Sequence, residues 1–371
     1  MRKQSEASTR QSVKLLLQPD DGMGALLDGI SAARKSIEIA IFRFDQKKIE
    51  IALEKAVARG VAVSALIACV NRAGEKLLRS LELRLLGAGV KVARTANDLV
   101  RYHGKYMIVD QRCLYVNGFN WTHADIERSR SFGVITRNPA TVREAMRLFD
   151  ADSRRIPMEP APEKLVISPM NARQQLAAFL LKAEKELAIY DPKVSDKEML
   201  KLLAKRAKAG VRVRILGKLP QPVEGVESHR LAGLRLHTRT IVRDRVDAFL
   251  GSQSLRGAEL DSRREVGITF RDAAAIAKVV ATFEADWENA EQASRLGADT
   301  PVVKIARKLA KAVAREIPAV APIVDGALEQ KKISDPETLA QEVAEIVKGA
   351  VQDAVKDVLE DAVQKPIGEA K

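Results

Sequence analysis

The chain has 371 residues, with 62 Lys and Arg against 49 Asp and Glu and a formal net charge of +13. This length can bury a core for two domains. The basic excess is uneven, at +10 over residues 1–155, +5 over 156–290 and −2 over 291–371. A basic surface attracts arrays of phosphate groups, and the charge alone does not distinguish nucleic acid from anionic lipid.

The polar N-terminal segment has no apolar stretch behind its charges, so no secretory signal is expected. No run approaches the roughly 18 apolar residues that a membrane span requires. Cys69 and Cys113 are the two cysteines, and their spacing predicts neither a disulfide framework nor a metal site. We therefore expect a cytoplasmic protein, with peripheral contact at the inner membrane surface as an open alternative.

An internal duplication organises the first 290 residues. Residues 35–44 (KSIEIAIFRF) align with 185–194 (KELAIYDPKV), and each segment is followed by a helical pattern, a glycine and an alternating strand pattern. The helical patterns cover 48–58 in the first copy and 196–208 in the second. This order is typical of βαβ units. Further helices are predicted near the two ends of each copy, at 24–33, 140–153, 172–183 and 272–287.

The predicted architecture is an α/β fold of two sandwich repeats packed face to face, with an all-α appendage. The repeats cover residues 1–155 and 165–290, and the Pro-rich stretch IPMEPAPEK at 156–164 is predicted to be the linker between them. Residues 291–371 have no aromatic side chain and carry wide apolar stripes, which favours a helical tail packed on itself or on the repeats. An open alternative is that its basic helix at 301–317 lies on an anionic membrane surface.

Two motifs of matching spacing carry the candidate chemistry. They stand 134 positions apart and read H-x-K-x4-D (His103, Lys105 and Asp110) and H-x-R-x4-D (His237, Arg239 and Asp244). Cleavage of a phosphodiester needs a nucleophile for phosphorus, an acid for the leaving oxygen and cations for the nonbridging oxygens. Two histidines can divide the first two tasks, because imidazole titrates near neutral pH. The cation two residues after each histidine lies on the same strand face and can reach the same phosphate.

The tandem motifs, with the turn-like segments NGFN at 117–120 and GSQS at 251–254, resemble the phospholipase D superfamily, whose pattern is H-x-K-x4-D-x6-G-S-x-N. The resemblance implies metal-independent phosphodiester chemistry through a phosphohistidine, without a cofactor. It implies that the motif aspartates, Asp110 and Asp244, are structural. The side chains that it places on the substrate phosphate are Lys105, Asn120, Arg239, Ser252 and Ser254.

The two copies depart from the family pattern at different positions. In the first copy Asn117-Gly118 replaces Gly-Ser, and in the second Arg239 replaces Lys and Ser254 replaces Asn. Arginine keeps the positive charge but presents a wider planar fork than an ammonium group. A degenerate, non-catalytic phosphate-binding protein therefore stays open as an alternative.

A carboxylate downstream of the second motif gives a basis for assigning roles to the histidines. Glu265 lies 28 residues after His237, and the matching position after His103 is Ser131. A carboxylate that accepts a hydrogen bond from one imidazole nitrogen fixes the tautomer and makes the other nitrogen more nucleophilic. We therefore predict that Glu265 orients His237, that His237 is the nucleophile and that His103 is the general acid and base.

Three functions fit these residues. The favoured prediction is a phospholipase D or phosphatidyltransferase similar to bacterial cardiolipin synthases, acting on anionic phospholipid; Phe283, Asp286 and Trp287 supply the F-x-x-D-W part of this resemblance. The second is a nuclease that cleaves DNA or RNA with the same histidine pair, and the third is the degenerate phosphate-binding protein. An aromatic content of 4% disfavours extensive base stacking and therefore the nuclease. The sequence leaves the oligomeric state open.

Overall fold

The structure is a computed structural model that describes residues 12–69, 75–160 and 165–295. The strands of the first repeat are β1 (Val13–Gln18), β2 (Ser36–Ile41), β3 (Ala62–Ile67), β4 (Lys91–Arg94), β5 (Arg101–Tyr102), β6 (Tyr106–Val109), β7 (Cys113–Asn117) and β8 (Ser129–Thr136). Its helices are α1 (Gly24–Ala32), α2 (Lys47–Ala58), α3 (Glu75–Gly87), α4 (His123–Glu127) and α5 (Pro139–Arg154). The strands of the second repeat are β9 (Val166–Ser168), β10 (Glu186–Asp191), β11 (Arg212–Gly217), β12 (Val226–His229), β13 (Arg235–Leu236), β14 (Arg239–Arg243), β15 (Asp247–Gly251) and β16 (Arg263–Phe270). Its helices are α6 (Ala172–Leu181), α7 (Lys197–Lys208), α8 (Gly257–Asp261) and α9 (Ala273–Arg295).

The strands form two sheets of the same topology. The first runs β1-β8-β7-β6-β2-β3-β4, and the second runs β9-β16-β15-β14-β10-β11-β12. In the first sheet β2 is parallel to β3 and antiparallel to β6, and in the second β10 is parallel to β11 and antiparallel to β14. The parallel pairs, each joined through a helix, are the predicted βαβ units. The predicted fold class of two α/β repeats is confirmed.

The helices of the βαβ units, α2 and α7, have the bounds that the sequence predicts to within one residue. The side chain of Asp196 caps α7 by accepting hydrogen bonds from two backbone N–H groups in its first turn. Gly60 and Gly210 follow the two helices with φ of +86° and +88°. Glycine adopts this left-handed backbone conformation without the clash that a Cβ atom would cause, so it ends each helix and directs the chain into the next strand.

Among the described residues, three buried apolar clusters stabilise the fold. One lies beneath α1, α2 and α3, a second lies beneath α6, α7 and α8, and the third joins the two sheets with α5 and α9. In the third cluster the ring of Tyr190 packs against Phe132 of the first repeat, with 5.5 Å between centroids, and against Phe283, with 5.1 Å. Because this cluster draws side chains from both sheets, the repeats bury a continuous apolar surface against each other.

Each repeat donates a two-residue strand to the other repeat. β5 of the first repeat pairs with β16 of the second, and β13 of the second pairs with β8 of the first. The backbone N–H of His103 then donates to the carbonyl oxygen of Arg264 at 2.7 Å, and that of His237 donates to the carbonyl oxygen of Arg130 at 3.2 Å. The segment that carries each motif histidine is therefore held by the opposite repeat.

The side chains of the same two arginines also connect the repeats. Arg130 on β8 binds Asp286 on α9 at 2.8 Å, and Arg264 on β16 binds Asp152 on α5 at 3.1 Å. The hydroxyl of Tyr190 donates a further hydrogen bond to Asp286 at 2.6 Å. Burial raises the pKa of the Asp152 carboxyl to about 6, and the nearby Arg264 limits the rise. Removal of either partner would leave a buried charge without its counterion, which is strongly destabilising.

Two predicted segments extend beyond the described residues. Residues 156–160 of the predicted linker have no regular structure, and residues 161–164 lie outside the described part of the chain. Residues 296–371, which hold most of the predicted helical tail, also lie outside it, so the helical and membrane-binding interpretations of the tail stay predictions. The described residues between 12 and 291 form one compact unit that contains both repeats. Within the residues described, no helix has the length and apolar character needed to cross a bilayer.

Candidate active site

His103 and His237 open onto one cleft with a volume of about 800 Å³. Both side chains are largely buried, and each residue has 7% of its surface exposed. Polar and charged residues from both repeats line the same cleft: Asn120, Asp125, Arg235 and Arg239. Side chains from both copies of the duplicated unit therefore line one cleft.

The state of His103 depends on Glu265. The Nδ1 atom of the imidazole lies 2.8 Å from Oε2 of Glu265, which is fully buried. The ammonium group of Lys105 lies 3.1 Å from Nε2 and donates to the carbonyl oxygen of His103 at 2.7 Å. Burial, followed by the charges of Lys105 and Arg239, lowers the pKa of His103 well below its usual value. The neutral ring that donates from Nδ1 keeps the lone pair of Nε2 available for reaction.

The prediction that Glu265 orients His237 is wrong. Glu265 lies on β16, and this strand pairs with β5, which immediately precedes His103. The sequence predicts that Glu265 contacts the histidine of its own repeat. In the structure β5 pairs with β16, so Glu265 lies beside His103 of the first repeat. Likewise β13 pairs with β8, which places His237 beside the first repeat. The role assignment that rested on this contact, with His237 as the nucleophile, loses its basis.

His237 has a different environment. Its Nε2 atom lies 3.5 Å from Oδ2 of Asp125, on α4 of the first repeat. Its Nδ1 atom and the hydroxyl of Ser131, which stands at the position matching Glu265, are both buried without a hydrogen-bond partner among the described residues. Burial and the charge of Arg239 lower the pKa of His237, and the Asp125 carboxylate opposes this effect. The Nε2 atom thus faces a carboxylate in His237 and a cation in His103.

Asp125 was missed by the sequence analysis, although the sequence contains a signal for it. Asp125 stands five positions after Asn120, and Glu259 stands five positions after Ser254. The Asp125 carboxylate accepts hydrogen bonds from the backbone N–H of Asn120 at 2.8 Å and from its Nδ2 at 2.6 Å. Glu259 accepts one from the backbone N–H of Ser254 at 2.8 Å. Extending the alignment of the two copies past the motifs would have identified this acidic pair.

The two motif cations occupy equivalent positions. Lys105 donates to the carbonyl oxygen of His103 at 2.7 Å, and Arg239 donates through Nη1 to the carbonyl oxygen of His237 at 2.7 Å. Lys105 is fully buried, and burial lowers the pKa of its ammonium group to about 7, although Glu265 opposes the shift. Arg239 also donates through Nε to the hydroxyl of Ser254 at 3.2 Å. The arginine in the second motif therefore keeps the position of the lysine in the first.

Ser252 lies beside the strand that carries Glu265, and its predicted contact with the substrate phosphate stays a prediction. It is fully buried, and its hydroxyl accepts a hydrogen bond from the backbone N–H of Val266 at 3.1 Å and lies 3.4 Å from the Val266 carbonyl oxygen. Because Val266 follows Glu265 on β16, Ser252 helps to fix the strand that carries this carboxylate. The same hydroxyl hydrogen-bonds to the Glu265 carboxylate, and this contact opposes the rise in the pKa of Glu265 that burial causes.

Asp110 and Asp244 lie at the ends of β6 and β14 that are remote from the histidines. Each carboxylate accepts hydrogen bonds from three consecutive backbone N–H groups at the start of the neighbouring strand, β2 or β10, at 2.6–3.1 Å. Both residues have positive φ, at 52° and 53°. These contacts fix the turn after each motif strand, which agrees with the structural role that the resemblance implies.

The first repeat matches a family of known proteins. A family model described as "Cardiolipin synthase, PLD-like domain" matches residues 26–153. The mitochondrial cardiolipin hydrolase of Mus musculus is 31% identical over 155 residues, which are 42% of this chain and 66% of that protein. The protein of the same name from Homo sapiens is 30% identical over 151 residues, which are 40% of this chain and 56% of that protein. The chain thus spans between half and two thirds of the length of these relatives.

Two solved structures share the fold over most of the described chain. Polyphosphate kinase from Porphyromonas gingivalis matches with a TM-score of 0.63 and 17% identity, covering 74% of this chain and 50% of that one. Phosphatidylserine synthase from Haemophilus influenzae Rd KW20 matches with a TM-score of 0.57 and 12% identity, covering 75% and 86%. At these identities the likeness concerns the fold alone. The chain belongs to the phospholipase D superfamily.

Proposed function

We propose that this protein is a metal-independent phosphodiesterase or phosphatidyltransferase that acts on phospholipid through a phosphohistidine. The observation that carries the proposal is the presence of two imidazoles, from opposite repeats, in one cleft but with opposite surroundings. Nε2 of His103 lies beside the ammonium group of Lys105, and Nε2 of His237 lies beside the carboxylate of Asp125. A cation disfavours a proton on the first nitrogen and a carboxylate favours one on the second, so the pair suits a nucleophile and an acid.

In the proposed reaction His103 is the nucleophile. Its Nε2 lone pair forms a bond to phosphorus while the bond from phosphorus to the leaving oxygen breaks. His237, protonated to the imidazolium beside the Asp125 carboxylate and the anionic substrate phosphate, gives its Nε2 proton to that oxygen. The now neutral His237 then removes a proton from water or an alcohol, which attacks phosphorus and releases His103. Lys105 and Arg239 would stabilise the charge on the nonbridging oxygens.

An apolar wall of the cleft favours a lipid substrate. Phe44, Pro192 and Leu236 line the same cleft as the two histidines and are partly exposed. Such side chains can bury the glycerol and first acyl carbons of a phospholipid while the phosphate reaches the imidazoles. The names of the matching family model and of the mammalian relatives, a cardiolipin synthase domain and cardiolipin hydrolases, support the same substrate class.

The basic rim of the cleft favours a nuclease as the second candidate. Arg43, Arg101 and Arg235 line the cleft, and such a row of guanidinium groups could follow a nucleic-acid backbone. Aromatic rings are present as well, but Phe42 is 3% exposed. Its ring packs against the imidazole of His103 in an edge arrangement, with 4.8 Å between the ring centroids. A ring in this position supports the histidine and offers little face for base stacking.

One experiment separates the two functions. The full chain would be incubated with anionic phospholipid vesicles or with single-stranded DNA, in EDTA and without added divalent cation. We expect release of phosphatidate or of the headgroup in the presence of EDTA, and its loss in His103→Ala. The matched control is His123→Ala, because His123 is exposed and binds Glu127 at 2.8 Å. Cleavage of DNA without turnover of lipid would select the nuclease, and loss of activity in EDTA would contradict the metal-independent mechanism.

A further inference from the structure

Both motif histidines meet a carboxylate from the opposite repeat, but at different ring nitrogens. Glu265 contacts Nδ1 of His103 at 2.8 Å, and Asp125 faces Nε2 of His237 at 3.5 Å. In the proposed reaction Nε2 of His237 carries the proton for the leaving oxygen. The first repeat has Ser131, which cannot carry a charge, where the second has Glu265. Asp125 is therefore the carboxylate that approaches His237 most directly from the first repeat.

The position of Asp125 is fixed by several donors. The residue is 2% exposed, and its Oδ2 accepts from the backbone N–H and from Nδ2 of Asn120. Its Oδ1 accepts from the guanidinium group of Arg235, which precedes His237 by two positions and also donates to the hydroxyl of Ser129 at 3.1 Å. Burial by itself raises the pKa of Asp125, but His237, Arg235 and the N–H of Asn120 outweigh it and the pKa is lowered. The carboxylate is thus a fixed negative charge beside His237.

We propose that Asp125 is a positioning residue that holds the transferable proton on Nε2 of His237 and aligns the Asn120 amide with it. This inference rests on the proposed phosphodiester chemistry. Before the substrate enters, His237 Nε2–H faces the Asp125 carboxylate. As the bond from phosphorus to the leaving oxygen breaks, the proton moves from Nε2 to that oxygen, and Asp125 keeps its charge throughout. The proton that His237 later takes from water or alcohol restores the initial state.

The charges around His237 define what the proposal requires. Three cations disfavour the imidazolium form of His237: Arg239 on β14, Lys105 of the first repeat and Arg235 on β13. The carboxylate of Asp125 on α4 favours this form. Neutralising Asp125 therefore leaves three cations around the ring without the opposing carboxylate. The protonated fraction of His237 should fall at every pH above its own pKa.

The leaving group of the substrate tests this role. Asp125→Asn keeps the size and removes the charge. With an alkyl phosphodiester, whose leaving alkoxide needs a proton, we expect kcat to fall by about 10- to 100-fold. The basic limb of the pH profile of kcat should move to lower pH. With a nitrophenyl phosphodiester, whose leaving group departs as the anion, we expect a loss of less than about threefold. Asp125→Glu should restore part of the rate with the alkyl ester.

Two control variants separate this role from damage to the fold. Glu127→Gln lies on the same helix, is exposed and binds His123, so it should leave both rates unchanged. Glu259→Gln removes the matching carboxylate of the second repeat, which contacts Ser254 and Arg239 instead of a histidine, and should affect both substrates equally. Equal losses on both esters in Asp125→Asn would overturn the proposal.

Imidazole titration by NMR tests Asp125 independently of turnover. The chain has four histidines, so the signals can be assigned with single substitutions. Asp125→Asn should lower the pKa of His237 and leave that of the exposed His123 unchanged. An unchanged His237 pKa would reject the role of Asp125 even if the protein cleaves phospholipid. A lowered pKa in a protein that cleaves no phosphodiester would support the role of Asp125 and reject the proposed function.

Discussion

The carboxylate of Glu265 in the second repeat lies 2.8 Å from Nδ1 of His103 in the first. The contact follows from the exchange of strands, because β5 pairs with β16 and places His103 beside a residue of the other copy. Among the described residues, each motif histidine meets its carboxylate from the opposite repeat. The two copies of the motif are therefore not equivalent. They have diverged into complementary halves of one site.

Glu265→Gln should reduce turnover of a nitrophenyl phosphodiester by roughly 10²- to 10⁴-fold. The amide is similar in size to the carboxylate but lacks the charge that favours the Nδ1–H tautomer of His103 and faces the ammonium group of Lys105. Initial rates would be compared with those of Glu288→Gln, an exposed position on α9. A rate equal to that of the unmodified protein would mean that Glu265 does not orient the nucleophile.

Trapping of a phosphoenzyme distinguishes the two histidines. In His237→Ala a nitrophenyl phosphodiester can still react with His103, because its leaving group departs without an acid, and the covalent intermediate should accumulate because the base for its hydrolysis is absent. In His103→Ala no intermediate should form. Samples quenched in an alkaline denaturant, which preserves the acid-labile phosphorus–nitrogen bond, would reveal the adduct by intact-protein mass. An adduct in His103→Ala and none in His237→Ala would restore the roles predicted from the sequence.

The sequence predicts the two repeats but not the partners of the motif histidines, and the difference has a physical cause. Alternating strands, helix-ending glycines and matching motifs are local patterns, and they predicted the two α/β repeats because each repeat folds around such local units. The partners of His103 and His237 depend instead on pairing between strands that are more than 100 residues apart in the sequence, β5 with β16 and β13 with β8. The contacts of Ser252 with Val266 and Glu265 have the same origin, because they depend on the neighbouring strand β16.

The ion pair between Arg264 and Asp152 should contribute strongly to stability. Asp152→Ala leaves the largely buried guanidinium group without its counterion, so we expect the free energy of unfolding to fall by about 3–5 kcal/mol. The matched control is Asp150→Ala on the same helix. Asp150 binds Arg154 at 3.3 Å with both side chains more than half exposed, and such a pair contributes about 0–1 kcal/mol. Urea unfolding at pH 7 measures both, and equal effects of the two substitutions would contradict the prediction.

The pH dependence of the free energy of unfolding should reveal the cost of burying the charged form of Lys105. Its pKa is about 7 in the folded protein, against a usual value of 10.5. Between pH 7 and pH 10 the unfolded chain therefore binds more protons at this site than the folded chain, and the contribution of Lys105 to the free energy of unfolding rises with pH. The slope approaches about 1.4 kcal/mol per pH unit for one proton. Lys105→Met lacks this dependence, so its stability relative to the unmodified protein should be highest near pH 7 and should decline towards pH 10.

The exposed Lys91 on β4 provides the control, because Lys91→Met removes a lysine that is in contact with water. Urea unfolding at several pH values gives the free energy of unfolding as a function of pH. The plots for Lys91→Met and the unmodified protein should be parallel. The plots for Lys105→Met and the unmodified protein should converge as the pH rises. A difference that does not change with pH would mean that Lys105 keeps its ordinary proton affinity in the fold. Convergence would mean that the folded protein retains a destabilising ammonium group beside His103, which is expected of a group kept for binding phosphate rather than for stability.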